Sequence, residues 1–371
     1  MKHQVKDPVK NQLGQRVRRG GGRLKLALLL LGLALILVPW PPAWAEALYL
    51  GALLPTWSAF SARVIDAVPV SVSLLLLIFL VSVPLVIMLA VGGRAVRGVM
   101  RFWSWTALVL LLLFPFTFGL GYRLALPTGL VTTQAASSEA ALAAVSAHVL
   151  SLLRSSSNWS AQPGAAALSA EAEQAQAVAA ASTCVGRFSR ELRAEHPAAT
   201  LPTKVKYLPA GLLLRFGFAG VALPWLLEPH VDAGLPGPSA LAVTLHEFAH
   251  SAGHASEAEA EAVGMVAGLE CSDQRVVYAA ALRLATNLAT GMPPEARAAF
   301  MAEWPTRAVA DARAAGRATR RFADAALTPG ATAAYDLYLR SQGESGGMAE
   351  YDRGTALALA VLYQRHLAEP N

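Results

Sequence analysis

The chain has 371 residues, 54% of them hydrophobic and only 15% charged, with a mean hydropathy of +0.42. A soluble domain carries roughly 25% charged residues, so this composition argues against a wholly soluble chain and against a disordered one, and two cysteines are too few for a disulfide scaffold or an all-cysteine zinc site. The net charge of +6 is uneven: residues 1–25 hold eight Lys/Arg against one Asp, while residues 102–371 hold 19 Lys/Arg against 22 acids, which leaves no basic folded domain for nucleic acid.

Three uncharged apolar stretches follow the basic tail, at 26–45, 67–91 and 102–122. Each is about as long as the roughly 20 apolar residues a bilayer core needs. The first is weakened after Val38 by Pro39, Pro41 and Pro42. Orientation follows from Lys and Arg, which favour the cytoplasmic side. The N-terminal tail and the connection bearing Arg94, Arg97 and Arg101 are expected in the cytoplasm. The connection 46–66 carries only Glu46, Arg63 and Asp66, and is expected outside with everything from residue 123 onward. Trp40, Trp44, Trp103 and Trp105 fall near span ends, where an aromatic belt is expected. The first stretch also fits a signal peptide cut after Ala43-Trp44-Ala45; either way the later residues end on the same side.

The division expected is a basic cytoplasmic tail (1–25), a transmembrane region (26–122) and an extracytoplasmic domain (123–371). Within the domain, helices are expected around 138–153 and 166–194. Short strands are expected in Lys204–Tyr207, Leu212–Phe218 and Val221–Trp225. The text is helical again from 239 to a last helix near 350–367, with loops near Gly291–Pro294, Pro329-Gly330 and Gly343–Gly347. Alanine is read as genomic composition and helix propensity. Cys184 and Cys271 would face an oxidising compartment, where they form a disulfide or remain two buried thiols.

The most informative stretch is His246-Glu247-Phe248-Ala249-His250. On a helix, positions i and i+4 lie on one face, so two imidazoles can hold one Zn²⁺ ion with Glu247 beside them as general base. The metzincin spacing fails, because Ser256 stands where a third histidine belongs. Gly253 can stop the motif helix, and Ser256 can cap the next one with Glu259 as its capping-box partner. That next helix carries Glu257, Glu259 and Glu261, the source of a third ligand of gluzincin type. His254 is a further candidate on the connection. For a tetrahedral oxyanion, Tyr351, Arg353 and His230 are candidate donors. Segment 216–231 either supplies an edge strand for an extended peptide or packs as a buried strand on the motif helix.

The frame His246-Glu-Phe-Ala-His-Ser-Ala-Gly253, then Glu257-Ala-Glu259-Ala260, resembles a bacterial family of membrane-anchored, zinc-peptidase-like proteins. That family has three N-terminal membrane helices and a motif of the type H-E-L-A-H-Q-x-G-x-x-x-E-x-E-A-N. Ser251 and Glu261 depart from it. Phe116–Tyr122, Lys204–Tyr207, Pro224-Trp225 with Glu228, Cys271, Tyr338–Arg340 and Gly347–Tyr351 also fit. The resemblance implies Glu259 as third zinc ligand, with Glu257 second. The resulting expectation is a mainly α membrane protein with three transmembrane helices and a zincin-like, gluzincin-type domain with a small β component. It would hydrolyse peptide bonds with zinc held by His246, His250 and Glu259, with Glu247 and Tyr351 catalytic, and with the bilayer and a peptide or protein substrate as partners. The alternative is a non-catalytic zinc-binding, sensory or scaffold module.

Overall fold

The computed structural model describes residues 23–36, 40–94, 96–131, 138–158 and 170–368. The basic tail therefore lies almost wholly outside the described residues.

The described part of the first apolar stretch forms helix α1 over residues 23–36; residues 37–39 lie outside the described residues. The stretches Pro42–Ala45, Glu46–Leu53 and Leu54–Ala67 then run on as one helix, α2, with π spacing in the middle. The connection expected at 46–66 is thus helical, and it is not free in solvent. Its buried positions Leu50, Leu54, Ser58, Ser61 and Ile65 recur every three or four residues, the spacing of one helix face. That face packs with Phe118, Leu120, Leu227 and Ala255. Polar ties fix it further: Trp57 Nε1 donates to the Trp225 carbonyl at 3.0 Å, Ser61 donates to the Leu226 carbonyl, and Lys206 Nζ donates to the Ile65 carbonyl at 2.6 Å.

Two helices are long and apolar enough to span a membrane, α3 (Val72–Val91) and α4 (Val96–Thr117). Among the described residues these are two of the three spans expected; part of the first stretch, 37–39, lies outside the described residues. Leu75, Leu76, Leu77, Ile78 and Phe79 of α3 are all exposed, as suits a surface that meets lipid. The two helices pack on each other. Ser71 at the start of α3 and Phe118 just past α4 both touch the large domain. The connection 46–66 and the domain therefore share one end of this hairpin.

The domain is mostly helical. Helices α5 (Glu139–Ser156), α6 (Ala170–Leu192), α7 (Gly237–Ser251), α8 (Glu257–Leu269) and α9 (Gln274–Gly291) build the core together with the last helix, α13 (Glu350–His366). Between α9 and α13 run α10 (Pro294–Ala302), α11 (Thr306–Phe322) and α12 (Thr328–Gln342). Pro329-Gly330 opens α12 instead of forming a loop, since proline fits the first helical turn, where its missing N–H costs no bond. Alanine has a packing role here. Ala260, Val263 and Ala267 of α8 are fully buried, and a side chain at Gly264 would come within 3.0 Å of the His246 backbone nitrogen. Small residues therefore let α8 lie directly against α7. A disulfide joins Cys184 of α6 to Cys271 after α8, with Cα atoms 5.5 Å apart.

The sheet has three strands in the order β1–β3–β2, with β1 Lys206–Leu208, β2 Gly220–Leu223 and β3 Glu228–Asp232. β3 pairs in parallel with β1 and antiparallel with β2. Of the expected strands, Leu212–Phe218 is instead a turn and a short 3₁₀ helix at Leu214–Phe216. Segment 216–231, expected as an edge strand or as a buried strand on the motif helix, holds both β2 and most of β3. Glu-Pro-His-Val-Asp has no apolar alternation, yet every residue of β3 is buried and it packs on the motif helix. Its acids are satisfied from elsewhere. Asp232 accepts from the backbone N–H groups of Gly211, Leu213, Leu214 and Gly234 at 2.7–3.1 Å. Glu228 accepts from the N–H groups of Val72 and Ser73 at 2.9 and 2.8 Å, and so caps the N-terminus of α3.

Candidate metal centre

The H-E-x-x-H motif lies in the last turns of α7, and its neighbours from Ala240 to Ser251 are all buried. The chain leaves the helix through Gly253 at φ +96°, where a side chain would also strike Leu54 at 2.4 Å. The turn Ala252–Ala255 brings α8 back along α7. Ser256 stands at the N-cap of α8, but its side chain makes no capping bond and its hydroxyl donates to Glu344 at 3.1 Å. The expected capping box does not form.

The return of α8 decides which glutamate meets the histidines. Glu257 and Glu261 are one turn apart and share a face; Glu259 lies about 200° round the helix from Glu257. His246, His250 and Glu257 accordingly form a buried group that could hold a metal ion, with one ligand atom of each within 4.8 Å of the others. Glu257 Oε2 is 3.1 Å from His246 Nε2 and 3.5 Å from His250 Nε2. Glu259 points the other way, to His254 Nδ1 at 2.6 Å and Arg193 at 2.8 Å. The carboxylate beside the histidine pair is thus Glu257, where the resemblance implied Glu259. His254 is not near the histidine pair as a ligand; its ring is locked between Glu259 and Ser189.

The far nitrogens of both motif histidines are occupied. His246 Nδ1 lies 3.0 Å from Glu261 Oε2, and His250 Nδ1 lies 2.8 Å from the His254 carbonyl. Each Nε2 therefore faces Glu257, with which both imidazoles are ion-paired in a group that could hold a metal ion, and outer partners orient imidazoles in this way in metal sites. Arg283 and Asn287 hold Glu261 in turn, each at 3.2 Å. Burial raises the Glu261 carboxyl, but Arg283 and His246 hold it down at about 2. Burial likewise pushes Glu257 up, and His250 and His246 keep it well below the carboxylate range. His246 is lowered by burial, but Glu257 and Glu261 more than offset this and raise it.

Glu247 differs from its neighbours. Burial pushes its carboxyl up to about 7, with the two motif histidines pulling the other way. Its Oε2 is buried without a hydrogen-bond partner among the described residues. Gly220 of β2 lies so close that a side chain there would come within 2.5 Å of Glu247 Oε1. A partnerless carboxylate oxygen beside two imidazoles and a carboxylate is what a zinc site with an activated water requires, so the residues present fit the metal.

A cavity of about 460 Å³ opens over the cluster. His246, Glu247, His250, Glu257 and Tyr351 reach it, with Gly220, Val221 and Ala222 of β2 along one wall. Tyr351 stacks on His246 with ring centroids 5.7 Å apart. Burial, and then Glu257, raise its hydroxyl well above the usual tyrosine value. Tyr335 donates to the other Glu257 oxygen and was not foreseen. The two other oxyanion candidates are elsewhere. His230 is fully buried on β3, against Ser71 at 2.7 Å, and Arg353 is exposed and pairs with Glu350.

No curated protein and no solved structure matches the chain. Residues 49–359 match a family described only as a protein of unknown function, DUF3810. That match runs through α2, both apolar hairpin helices and the domain alike, across the division expected at residue 123, and it carries no activity with it. It covers most of the sequence, and the chain belongs to the DUF3810 family.

Proposed function

We propose that this protein is a membrane-anchored zinc metallopeptidase whose site lies outside the cytoplasm. The observation that carries the reading is the buried His246–His250–Glu257 group, with both histidine Nδ1 atoms engaged and the Glu247 Oε2 atom left without a partner. His246, His250 and Glu257 would hold the ion. Bound there, zinc supplies Lewis acidity that lowers the pKa of a water and polarises a carbonyl. Glu247, whose buried Oε2 has no partner among the described residues, would take the proton of the attacking water and return it to the leaving amine. Tyr351 stays protonated in the cavity and donates to the oxyanion. β2 pairs only with β3 among the described residues, and its other edge can hold an extended peptide through backbone bonds.

The charge pattern supports the orientation, with the basic tail and Arg97 and Arg101 on the cytoplasmic side. The Cys184–Cys271 disulfide supports it independently, since such bonds persist in oxidising compartments. The test is zinc content and peptide hydrolysis of the full chain in detergent, beside Glu247→Gln and His246→Ala/His250→Ala. About one zinc per chain, kept in Glu247→Gln and lost in the double variant, with turnover lost in both, is the expected result. Folded protein without zinc would sink the reading; undiminished turnover in Glu247→Gln would remove the general base.

A further inference from the structure

The cleft over the metal cluster is not walled by the large domain alone. One side is His246, Glu247, Glu257 and the β2 edge; the other includes Phe114 of α4, Phe118 just beyond it and Ile36 of α1. The anchor is part of the site. Trp225, two residues past β2, also lines the cleft, and its indole N–H donates to the carbonyl of Leu110 at 3.1 Å. Leu110 lies inside α4, well before its last residue Thr117, which at 1.5 Å per residue is about 10 Å down the helix. The indole of Trp57 in α2 donates to the Trp225 carbonyl. The end of the edge strand is therefore sunk beside the outer turns of an apolar helix, at the depth where tryptophan prefers to sit in a bilayer.

The chemistry of the walls is as telling as their place. Beyond the metal group the cleft is lined by Phe114, Phe118, Leu213, Phe218 and Tyr338, with no arginine or lysine among the described lining residues. A polar or acidic side chain entering it would lose water and gain no counter-charge. A bulky apolar side chain would bury its whole surface there.

We propose that the substrate is the membrane-proximal segment of a membrane-anchored polypeptide. It binds extended along β2, with a bulky apolar side chain beside the scissile bond packed against Phe114 and Phe118. This rests on the metallopeptidase reading and on α3 and α4 as membrane spans. Anchoring confines the substrate to the surface on which the cleft opens, raising its effective concentration.

The test uses the full chain in lipid nanodiscs and four synthetic peptides. All share one ten-residue polar sequence with either Phe or Ser at its centre, each free or fused to a polyleucine membrane helix. Cleavage by the wild type is followed by mass spectrometry, and binding to zinc-loaded Glu247→Gln by fluorescence anisotropy. The expected result is about a 10- to 100-fold preference for Phe over Ser in both readouts, and at least about a tenfold gain on anchoring. Cleavage of all four at equal rates would overturn the inference and leave the metallopeptidase standing. Binding to Glu247→Gln with the Phe and anchor preferences, but no cleavage by wild type, would keep the assignment of the cleft and overturn hydrolysis. Neither binding nor cleavage of any peptide would overturn both.

Discussion

The assignment of the third ligand is tested by removing one negative charge at either of two positions two residues apart. Glu257→Gln takes a donor from the metal group. Glu259→Gln leaves the group intact but strips Arg193 and His254 of their carboxylate. The Glu259 and Arg193 side chains are only 6% and 10% exposed, so the loss is that of a buried pair, about 3 kcal/mol or more. For a domain of this size that lowers Tm by about 10 °C. Zinc acts separately. At about 100 times its Kd, an ion bound only by the folded state adds about 2.7 kcal/mol, or about 5–10 °C. Losing a ligand weakens binding by more than the 10- to 100-fold typical of an outer partner, so at the same zinc concentration Glu257→Gln should lose most of that increment. Thermal unfolding of the full chain in detergent, with chelator and with zinc, separates the two. Glu259→Gln should melt lower but keep its zinc-dependent rise. Glu257→Gln should show little rise at the zinc level that saturates the wild type. The reverse pattern, with the rise lost in Glu259→Gln and kept in Glu257→Gln, would refute the geometry of α8 set out above.

Glu261→Gln should weaken zinc about 10- to 100-fold through His246 without abolishing it, read by competition with a chromophoric chelator; unchanged affinity would deny Glu261 its orienting role. Protein taken from cells and unfolded without reductant should show no reactive thiol at Cys184 or Cys271, and replacing both with serine should cost about 2–5 kcal/mol; two thiols that label freely would contradict the disulfide and with it the oxidising compartment. Glu228 is raised by burial, but His230 and the Ser73 and Val72 N–H groups bring it down to about 2, below the roughly 4.3 of an unfolded chain. Its contribution is therefore complete above that value and is lost as pH falls toward 2. Acid unfolding of Glu228→Gln should be less steep in that window, and an identical acid limb would show that the carboxylate is not what holds α3.

The histidine pair was legible because both imidazoles sit one turn apart on a single helix. The third was not. Which of Glu257, Glu259 and Glu261 faces the histidines depends on where α8 starts and how Gly253 turns it, and neither is written in the spacing of the acids. Ser256 and Glu259 match a capping box in sequence, yet Glu344, Arg193 and His254 claim their side chains. All three claimants except His254 come from distant segments. The burial of the central strand is no more legible locally, since Glu228 is answered by Ser71, Val72 and Ser73, more than 150 residues away. The helix α2 is a different case. Leu50, Leu54, Ser58, Ser61 and Ile65 carry its face in plain helical spacing, and attention to its three charged residues obscured that pattern. Tyr338 stood in the resemblance without a role, and Tyr335, one turn before it on α12, carries no local signal; the packing of α12 beside the cleft brings both to it.

The docking of α2 has a consequence for how the chain is made. Ser61 precedes its partner Leu226 by 165 residues, with both apolar helices between them. At 5–20 residues per second, α2 is synthesised roughly 10–30 s before the strands it will cover exist. During that interval Leu50 and Leu54 lack Leu227 and Ala255, the partners that later cover them, so this packing closes late, between segments made far apart in time. A domain cut free at residue 123 lacks α2 altogether. It would leave Leu227 and Ala255 uncovered, and it is a poor stand-in for the whole protein.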